Sequence, residues 1–223
     1  MKKRILSAVI AIFVIVCLSV SALAEEETPT EYNNMVSLLM EGETGTVLQH
    51  NGGYEKVAQG TLNKLMTVLL TAEEIESGGL SINDVVTVSS NANAQTGAVV
   101  WLMPGEEITI EELLKSVIIG NANDASVALA EIVGGNEEEF TGMMNARAFE
   151  LGMRNTVFKN PAGYDCAGQY STPYDMALLC RELLKHEFLY KIMNTWIDRV
   201  RGGQTEICLL YTSPSPRDPK TSR

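Results

Sequence analysis

A helical pattern of apolar residues begins directly behind Thr61 and constrains the fold of this chain more than any other feature. The apolar side chains recur at three- and four-residue spacing, at Leu62, Leu65, Met66, Leu69 and Leu70. This spacing places them on one face of an α-helix, and that face must pack against a core. The pattern predicts a helix from Thr61 to about Glu76 that ends at Gly78-Gly79.

Thr61 and Lys64 lie at the start of this predicted helix. They are three residues apart and therefore share a neighbouring face, near unpaired N–H groups that favour negative charge. A hydroxyl beside an amine at such a place can serve as a nucleophile, because the amine removes its proton and the N–H groups stabilise an oxyanion. The structural alternative is an N-capping threonine and a solvated lysine. Thr156 and Lys159 show the same spacing without a helical pattern behind them.

The first 24 residues have the features of a secretory signal peptide. Lys2-Lys3-Arg4 precedes an apolar run over residues 5–20, and Ser21-Ala22-Leu23-Ala24 provides a cleavage site. The alternative is an uncleaved anchor, although the apolar run is short for a membrane-spanning helix. We therefore expect cleavage after Ala24, export to the cell envelope, and no membrane anchor after cleavage.

The composition excludes several classes of function. The chain has 28 Asp and Glu residues against 17 Lys and Arg, a net charge of −11, which argues against nucleic-acid binding. An odd number of cysteines, Cys166, Cys180 and Cys208, follows the leader, so we expect buried or free thiols. His50 and His186 are far apart and lack companions at ligand spacing, so neither a metal site nor a cofactor is predicted.

The remaining chain reads as strands followed by helices. Residues 35–51 predict a β-hairpin, and Thr109 with Glu112 fits a capping box before another helix. Residues 121–124 form a polar loop between two apolar helices, where Asp124 is a candidate cap for the second. Strands that precede a long helical insertion need later strands to complete their sheet. Residues 208–223 are rich in Ser and Pro and predict a disordered tail.

Three stretches occur in an order that resembles a known family. Thr61-x-x-Lys64 opens a helix, and Asn121-Ala122-Asn123-Asp124-Ala125 follows an amphipathic helix. A third pattern includes Asn160-Pro161-x-Gly163 and leads to Tyr170-Ser171-Thr172-x-Tyr174-Asp175. Together they strongly resemble the D-alanyl-D-alanine carboxypeptidases, the low-molecular-mass penicillin-binding proteins, over residues 35–206.

The resemblance implies both a fold and a reaction. The expected fold class is α/β (α+β), the penicillin-binding or serine β-lactamase-like fold, with an antiparallel sheet against a helical lobe in a domain over residues 25–207. The family uses Ser-x-x-Lys, Ser-x-Asn and Lys-Thr-Gly motifs. Its serine attacks the penultimate D-Ala carbonyl of a peptidoglycan stem peptide, releases the last D-Ala, and forms an acyl-enzyme that water hydrolyses. Penicillins imitate the dipeptide and stall at the acyl stage.

This chain departs from the family pattern at three points. Thr61 stands in place of the nucleophilic serine, and its extra methyl group stiffens χ1 and crowds the carbonyl. Asn121 stands in place of the Ser-x-Asn serine, while Asn123 and Lys64 are retained. The sequence contains no Lys-Thr-Gly, and the similar Lys220-Thr221-Ser222 falls in the Pro-rich tail. We therefore expect a truncated reading frame and an incomplete sheet.

Three interpretations of function remain. The first is an exported carboxypeptidase that acts on stem peptides, with Thr61, Lys64 and Asn121 as catalytic residues, Asn123 as a substrate-binding residue, and β-lactam antibiotics as acylating ligands. In this role burial of Lys64 lowers its pKa towards that of a general base. The second is an inactive module that binds peptidoglycan. The third is a non-functional fragment of a carboxypeptidase gene.

Overall fold

The structure, a computed structural model, describes residues 35–209. The predicted signal peptide over residues 1–24 and the Lys220-Thr221-Ser222 triplet lie outside the described residues. Cys208, the first residue of the predicted tail, is the last residue of a strand, where it pairs with Ile197. Within the described residues, the last strand therefore reaches one residue into the predicted tail.

The described residues begin and end with a pair of strands, and helices make up most of the middle. The strands are β1 (Ser37–Met40), β2 (Val47–Asn51), β3 (Val85–Thr87), β4 (Glu107–Thr109), β5 (Ile197–Val200) and β6 (Thr205–Cys208). A 3-10 helix covers Gly60–Leu62, and the α-helices are α1 (Asn63–Ser77), α2 (Ser90–Asn93), α3 (Ile110–Ile118), α4 (Asn123–Gly134), α5 (Glu137–Glu150), α6 (Pro173–Leu183) and α7 (Leu189–Met193). This content confirms a mixed α/β chain.

The strands pair in three separate two-stranded sheets rather than in one. The predicted hairpin is present as β1 and β2, which pair antiparallel from Ser37 opposite Asn51. The β3–β4 and β5–β6 pairs are also antiparallel. Over residues 35–209 the predicted antiparallel sheet structure is therefore present as three pairs of strands, in which each strand pairs with one neighbour.

Helix α1 lies at the centre of the helical part. It packs against α3, α4, α5 and α6. Its buried residues run almost without interruption from Asn63 to Ala72, so its first half is covered on every side and not only along the predicted apolar face. When a helix is buried on every side, a charged side chain on it must either be paired with a hydrogen-bonding partner or become neutral. Lys64 therefore enters an interior environment.

The ends of the helices follow local sequence signals. Thr109 Oγ1 accepts the N–H of Glu112 at 3.1 Å, and Glu112 Oε2 accepts the N–H of Thr109 at 3.3 Å, so the predicted capping box before α3 is confirmed. Helix α1 ends at Gly78, which adopts the left-handed conformation that glycine favours, with φ +84°. These caps mark the start of α3 and the end of α1.

The predicted start of α1 needs a correction. The α-helix begins at Asn63, and Thr61 belongs to the preceding 3-10 helix. The N–H of Leu62 bonds to the carbonyl oxygen of Gln59 at 3.1 Å, and Gly60 has a positive φ of 50°. This tight turn replaces the first α-helical turn and leaves Thr61 at its outer side.

Over residues 35–209, no helix combines the length and apolarity that crossing a bilayer requires.

Candidate active site

Thr61, Lys64 and Asn121 line one pocket of about 180 Å³. Thr61 is exposed at the entrance to α1, whereas Lys64 is only 3% exposed. The nucleophile candidate therefore remains accessible from solvent while the base candidate is shielded from it. Much of the remaining wall is apolar and includes Leu62, Leu65, Val68, Ile118, Leu183 and Met193.

The amine of Lys64 is held by a residue that is 98 positions away in the chain. Its Nζ atom donates a hydrogen bond of 2.6 Å to the carbonyl oxygen of Ala162. Burial lowers the pKa of Lys64 from 10.5 to about 8, because the interior disfavours the charged form. A substantial fraction of this amine is therefore neutral in mildly alkaline solution and able to accept a proton.

Asn121 lies between α3 and α4 in a strained conformation. Its φ is 53°, in the left-handed region, which asparagine tolerates better than most residues. The residue is half-buried and contributes to the same pocket as Thr61 and Lys64. The turn at Asn121 thus directs the chain from the end of α3 past the pocket and into α4.

Asn123 is placed differently from the other three candidates. It is the first residue of α4, is 8% exposed, and is not among the residues that line the pocket. Its Nδ2 atom donates to the carbonyl oxygen of Thr96 at 2.6 Å, and its backbone N–H donates to the carbonyl oxygen of Ala98 at 2.7 Å. In this arrangement the side chain fixes a neighbouring loop.

Asp124 has a different role from the predicted cap. The N-cap of α4 is Ala122, and Asp124 lies inside the first turn with 1% exposure. Its carboxylate accepts hydrogen bonds from the N–H groups of Val100 and Leu102, at 3.1 Å each to Oδ2. Asn123 and Asp124 therefore anchor the loop of residues 96–102 to α4, which sequence spacing did not indicate.

A segment that the sequence analysis did not assign to the site, residues 159–164, closes over the start of α1. The carbonyl oxygen of Pro161 accepts from Thr67 Oγ1 at 3.0 Å and from Ser126 Oγ at 2.9 Å, which joins α1 to α4. Gly163 lies against the backbone of Gly60 and Thr61. The Asn-Pro-x-Gly pattern was the signal for this segment, but its contact with Lys64 follows only from the fold.

The histidines and cysteines form no cluster with the site. Among the residues that the structure describes, no group of three His, Cys, Asp or Glu side chains could hold a metal ion. His186 Nδ1 bonds to Glu76 Oε2 at 2.9 Å, and the ring of His50 packs against Tyr54. The three described cysteines are free thiols.

The pattern of the sequence matches one family over most of the chain. A sequence model described as D-alanyl-D-alanine carboxypeptidase matches residues 23–209. This protein belongs to the D-alanyl-D-alanine carboxypeptidase family, and its fold is that of the penicillin-binding proteins.

Two curated relatives show how far the likeness extends. The D-alanyl-D-alanine carboxypeptidase DacF of Bacillus subtilis is 39% identical over 203 residues, which cover 89% of this chain and 52% of DacF. DacC of Escherichia coli is 37% identical over 153 residues, which cover 66% of this chain and 38% of DacC. The chain thus spans about half the length of DacF and less of DacC.

Solved structures of the same family have similar folds. The D-alanyl-D-alanine carboxypeptidase DacD from Francisella tularensis matches with a TM-score of 0.71 and 32% identity, over 73% of this chain and 40% of DacD. Penicillin binding protein 6B from Escherichia coli matches with a TM-score of 0.74 and 27% identity, over 79% of this chain and 57% of that protein. The fold predicted from the motif order is therefore confirmed.

Proposed function

We propose that this chain is the catalytic part of an exported D-alanyl-D-alanine carboxypeptidase that acts on peptidoglycan stem peptides through an acyl-enzyme on Thr61. The observation that carries the proposal is the shared pocket of an exposed Thr61 and a buried Lys64 with a lowered pKa. Family membership supports the substrate class. The leader over residues 1–24 supports export, since the substrate lies outside the cytoplasm.

The first half of the reaction requires a neutral Lys64. Its amine takes the proton of the Thr61 hydroxyl while Oγ1 attacks the carbonyl carbon of the penultimate D-Ala. The tetrahedral intermediate collapses, the C–N bond to the terminal D-Ala breaks, and the ammonium of Lys64 returns its proton to the leaving amine. The products are free D-Ala and an ester on Thr61.

The second half regenerates the enzyme. A water molecule loses a proton to the neutral Lys64 and attacks the ester carbonyl, and the proton then returns to Thr61 Oγ1 as the ester bond breaks. Asn121 offers an amide to the substrate rather than a hydroxyl that could relay a proton. A β-lactam follows the first half of this path, with its ring amide in place of the peptide bond.

A second candidate function is peptidoglycan binding without turnover. The observation that favours it is that Thr61 and Asn121, the two residues that differ from the serines of the family motifs, line the same pocket. The methyl group of Thr61 restricts χ1, and a misplacement of about 1 Å can reduce a rate by roughly 100-fold. In this alternative the pocket retains the stem peptide while the chemical step is lost.

A labelling experiment with a fluorescent penicillin separates the two functions. We expect the full chain to form a covalent adduct that Thr61→Ala abolishes. The matched control is Thr156→Ala, because Lys159 follows Thr156 at the same spacing but is exposed. Saturable binding to peptidoglycan without any covalent adduct would support the binding function and contradict the proposed reaction.

A further inference from the structure

The side chain of Gln169 forms hydrogen bonds with four residues around the start of α1. Its Oε1 atom accepts from Asn63 Nδ2 at 2.8 Å, from the N–H of Lys159 at 3.1 Å and from Asn160 Nδ2 at 3.3 Å. Its Nε2 atom donates to the carbonyl oxygen of Tyr164 at 2.9 Å. Gln169 is therefore bonded to both ends of the 159–164 segment and to the first residue of α1.

Two asparagines extend this network. Asn63 Nδ2 also donates to the carbonyl oxygen of Asn160 at 2.9 Å, and Asn63 is fully buried. Asn160 Oδ1 accepts from the N–H groups of Gly163 and Tyr164 at 2.6 and 2.9 Å. The three carboxamides thus fix the backbone on both sides of Ala162, whose carbonyl oxygen holds the amine of Lys64.

We propose that Gln169 is a positioning residue, which acts through the 159–164 segment to hold the amine of Lys64 buried against the Ala162 carbonyl, in the pocket that Thr61 also lines. This inference rests on the proposed function, since Lys64 is the base of that reaction. Gln169 is not among the residues that line the pocket. Its contribution is to fix the place of the Ala162 carbonyl, and its carboxamide suits this role because it carries both an acceptor oxygen and a donor NH2 group.

Loss of the hydrogen bonds of Gln169 should change the solvation of the Lys64 amine. Replacing Gln169 by Met removes the acceptor of three donors and the donor to Tyr164, and such losses are costly for buried groups. The 159–164 segment then loosens from α1, and water reaches the amine of Lys64. Because burial is the cause of the lowered pKa, added water returns this pKa towards 10.5.

Asn145 provides a matched control. It is half-buried like Gln169, and its carboxamide bonds to Thr141 and Phe158 through three hydrogen bonds of 2.8–2.9 Å. It holds the chain just before the 159–164 segment and contacts none of residues 159–164 through those bonds. Asn145→Leu therefore removes comparable hydrogen bonds without freeing the Ala162 carbonyl.

The test measures the pKa of Lys64 by NMR in full chain labelled at lysine Nζ and Cε, with Lys64→Met for assignment. We expect Gln169→Met to raise this pKa by about one unit, and Asn145→Leu to lower the melting temperature to a similar extent with the pKa unchanged. The rate of acylation by fluorescent penicillin is then followed against pH. We expect its acidic limb to move by the same amount, so that the rate at pH 7 falls about tenfold in Gln169→Met.

The outcomes separate this inference from the proposed function. An unchanged Lys64 pKa in Gln169→Met, or an equal shift in Asn145→Leu, overturns the positioning role. If the wild-type chain is not acylated but Gln169→Met still shifts the pKa, the positioning role stands and the proposed reaction fails. Should Gln169→Met not fold, Asn63→Ala removes the links to Gln169 and Asn160 alone, and the same upward shift of the pKa is expected.

Discussion

Gly163 lies against the carbonyl group of Gly60, so close that a Cβ atom on Gly163 would be 2.1 Å from that oxygen and 2.9 Å from the Cα atom of Thr61. Gly163 also has a φ of +85°, which side-chain-bearing residues rarely adopt. Neither neighbour is a flexible side chain that could move aside. The distance between the 159–164 segment and the candidate nucleophile is therefore set by the absence of one methyl group.

Gly163→Ala tests this contact. The added methyl must push the segment away from Thr61 and force a left-handed alanine, which we expect to destabilise the fold by roughly 2–4 kcal/mol. Urea unfolding measures the change. Gly142→Ala is the control, because Gly142 lies within α5 with open space around its Cβ position, and the change should stabilise the chain by about 0.5–1 kcal/mol. Equal effects of the two variants would contradict the contact.

Thr61→Ser tests whether the extra methyl group limits the reaction. Serine keeps the hydroxyl and regains rotamer freedom, so we expect acylation by fluorescent penicillin to become about tenfold faster. The free energy of unfolding should change little, because Thr61 is exposed. The rate is measured from the time course of labelling. A slower rate in Thr61→Ser would show that the threonine methyl group is part of a working geometry.

The lowered pKa of Lys64 makes stability depend on pH in a defined window. Between about pH 8 and pH 10.5 the unfolded chain binds a proton at this lysine that the folded chain does not. The free energy of unfolding should therefore rise with pH in this window, by roughly 1–3 kcal/mol for this group. Below pH 8 both states are protonated and the cost of burying the charge is constant.

Lys64→Met isolates this contribution. Urea unfolding of both proteins at pH 7, 8, 9 and 10 should show the wild type gaining stability relative to Lys64→Met as pH rises, because only the wild type sheds a buried charge. Lys159→Met serves as the control, since Lys159 is exposed and its loss should leave the trend of the wild type intact. Parallel curves for wild type and Lys64→Met would contradict the assigned pKa.

Trp101 stores backbone strain at the surface. Its φ is 59° and its side chain is 68% exposed. The carboxylate of Asp124 accepts hydrogen bonds from the N–H groups of both neighbours, Val100 and Leu102, and this pair of bonds fixes the turn between them. A bulky residue in the left-handed region costs about 1–2 kcal/mol.

Trp101→Gly should relieve this strain. Because little apolar surface is lost, we expect the free energy of unfolding to rise by roughly 1 kcal/mol, measured by urea unfolding. Trp196→Gly is the matched control, since Trp196 is similarly exposed at 53% but does not have a positive φ. That variant should be destabilised by the entropy of glycine. A loss of stability in both variants would show that the turn at residue 101 carries no strain.

The local features of this chain could be predicted from sequence because each depends on neighbours within a few positions. The apolar spacing after Thr61 predicted the central helix, and Thr109 with Glu112 predicted a capping box that the structure confirms. The order of the motifs predicted the family, which the match over residues 23–209 confirms. The exact helix start was missed, because a 3-10 turn and an α-helical turn have nearly the same local requirements.

Sequence alone determined which groups stand near the start of α1, since Thr61 and Lys64 lie within one helical turn of each other. Only the tertiary structure decided the chemical state of Lys64, through an Ala162 carbonyl that is 98 positions away and a core that excludes water. It likewise decided that Asn123 and Asp124 bond to the backbone of residues 96–102. Periodicity reports which face of a helix is apolar, whereas burial and long-range hydrogen bonds depend on which distant segment packs against that face.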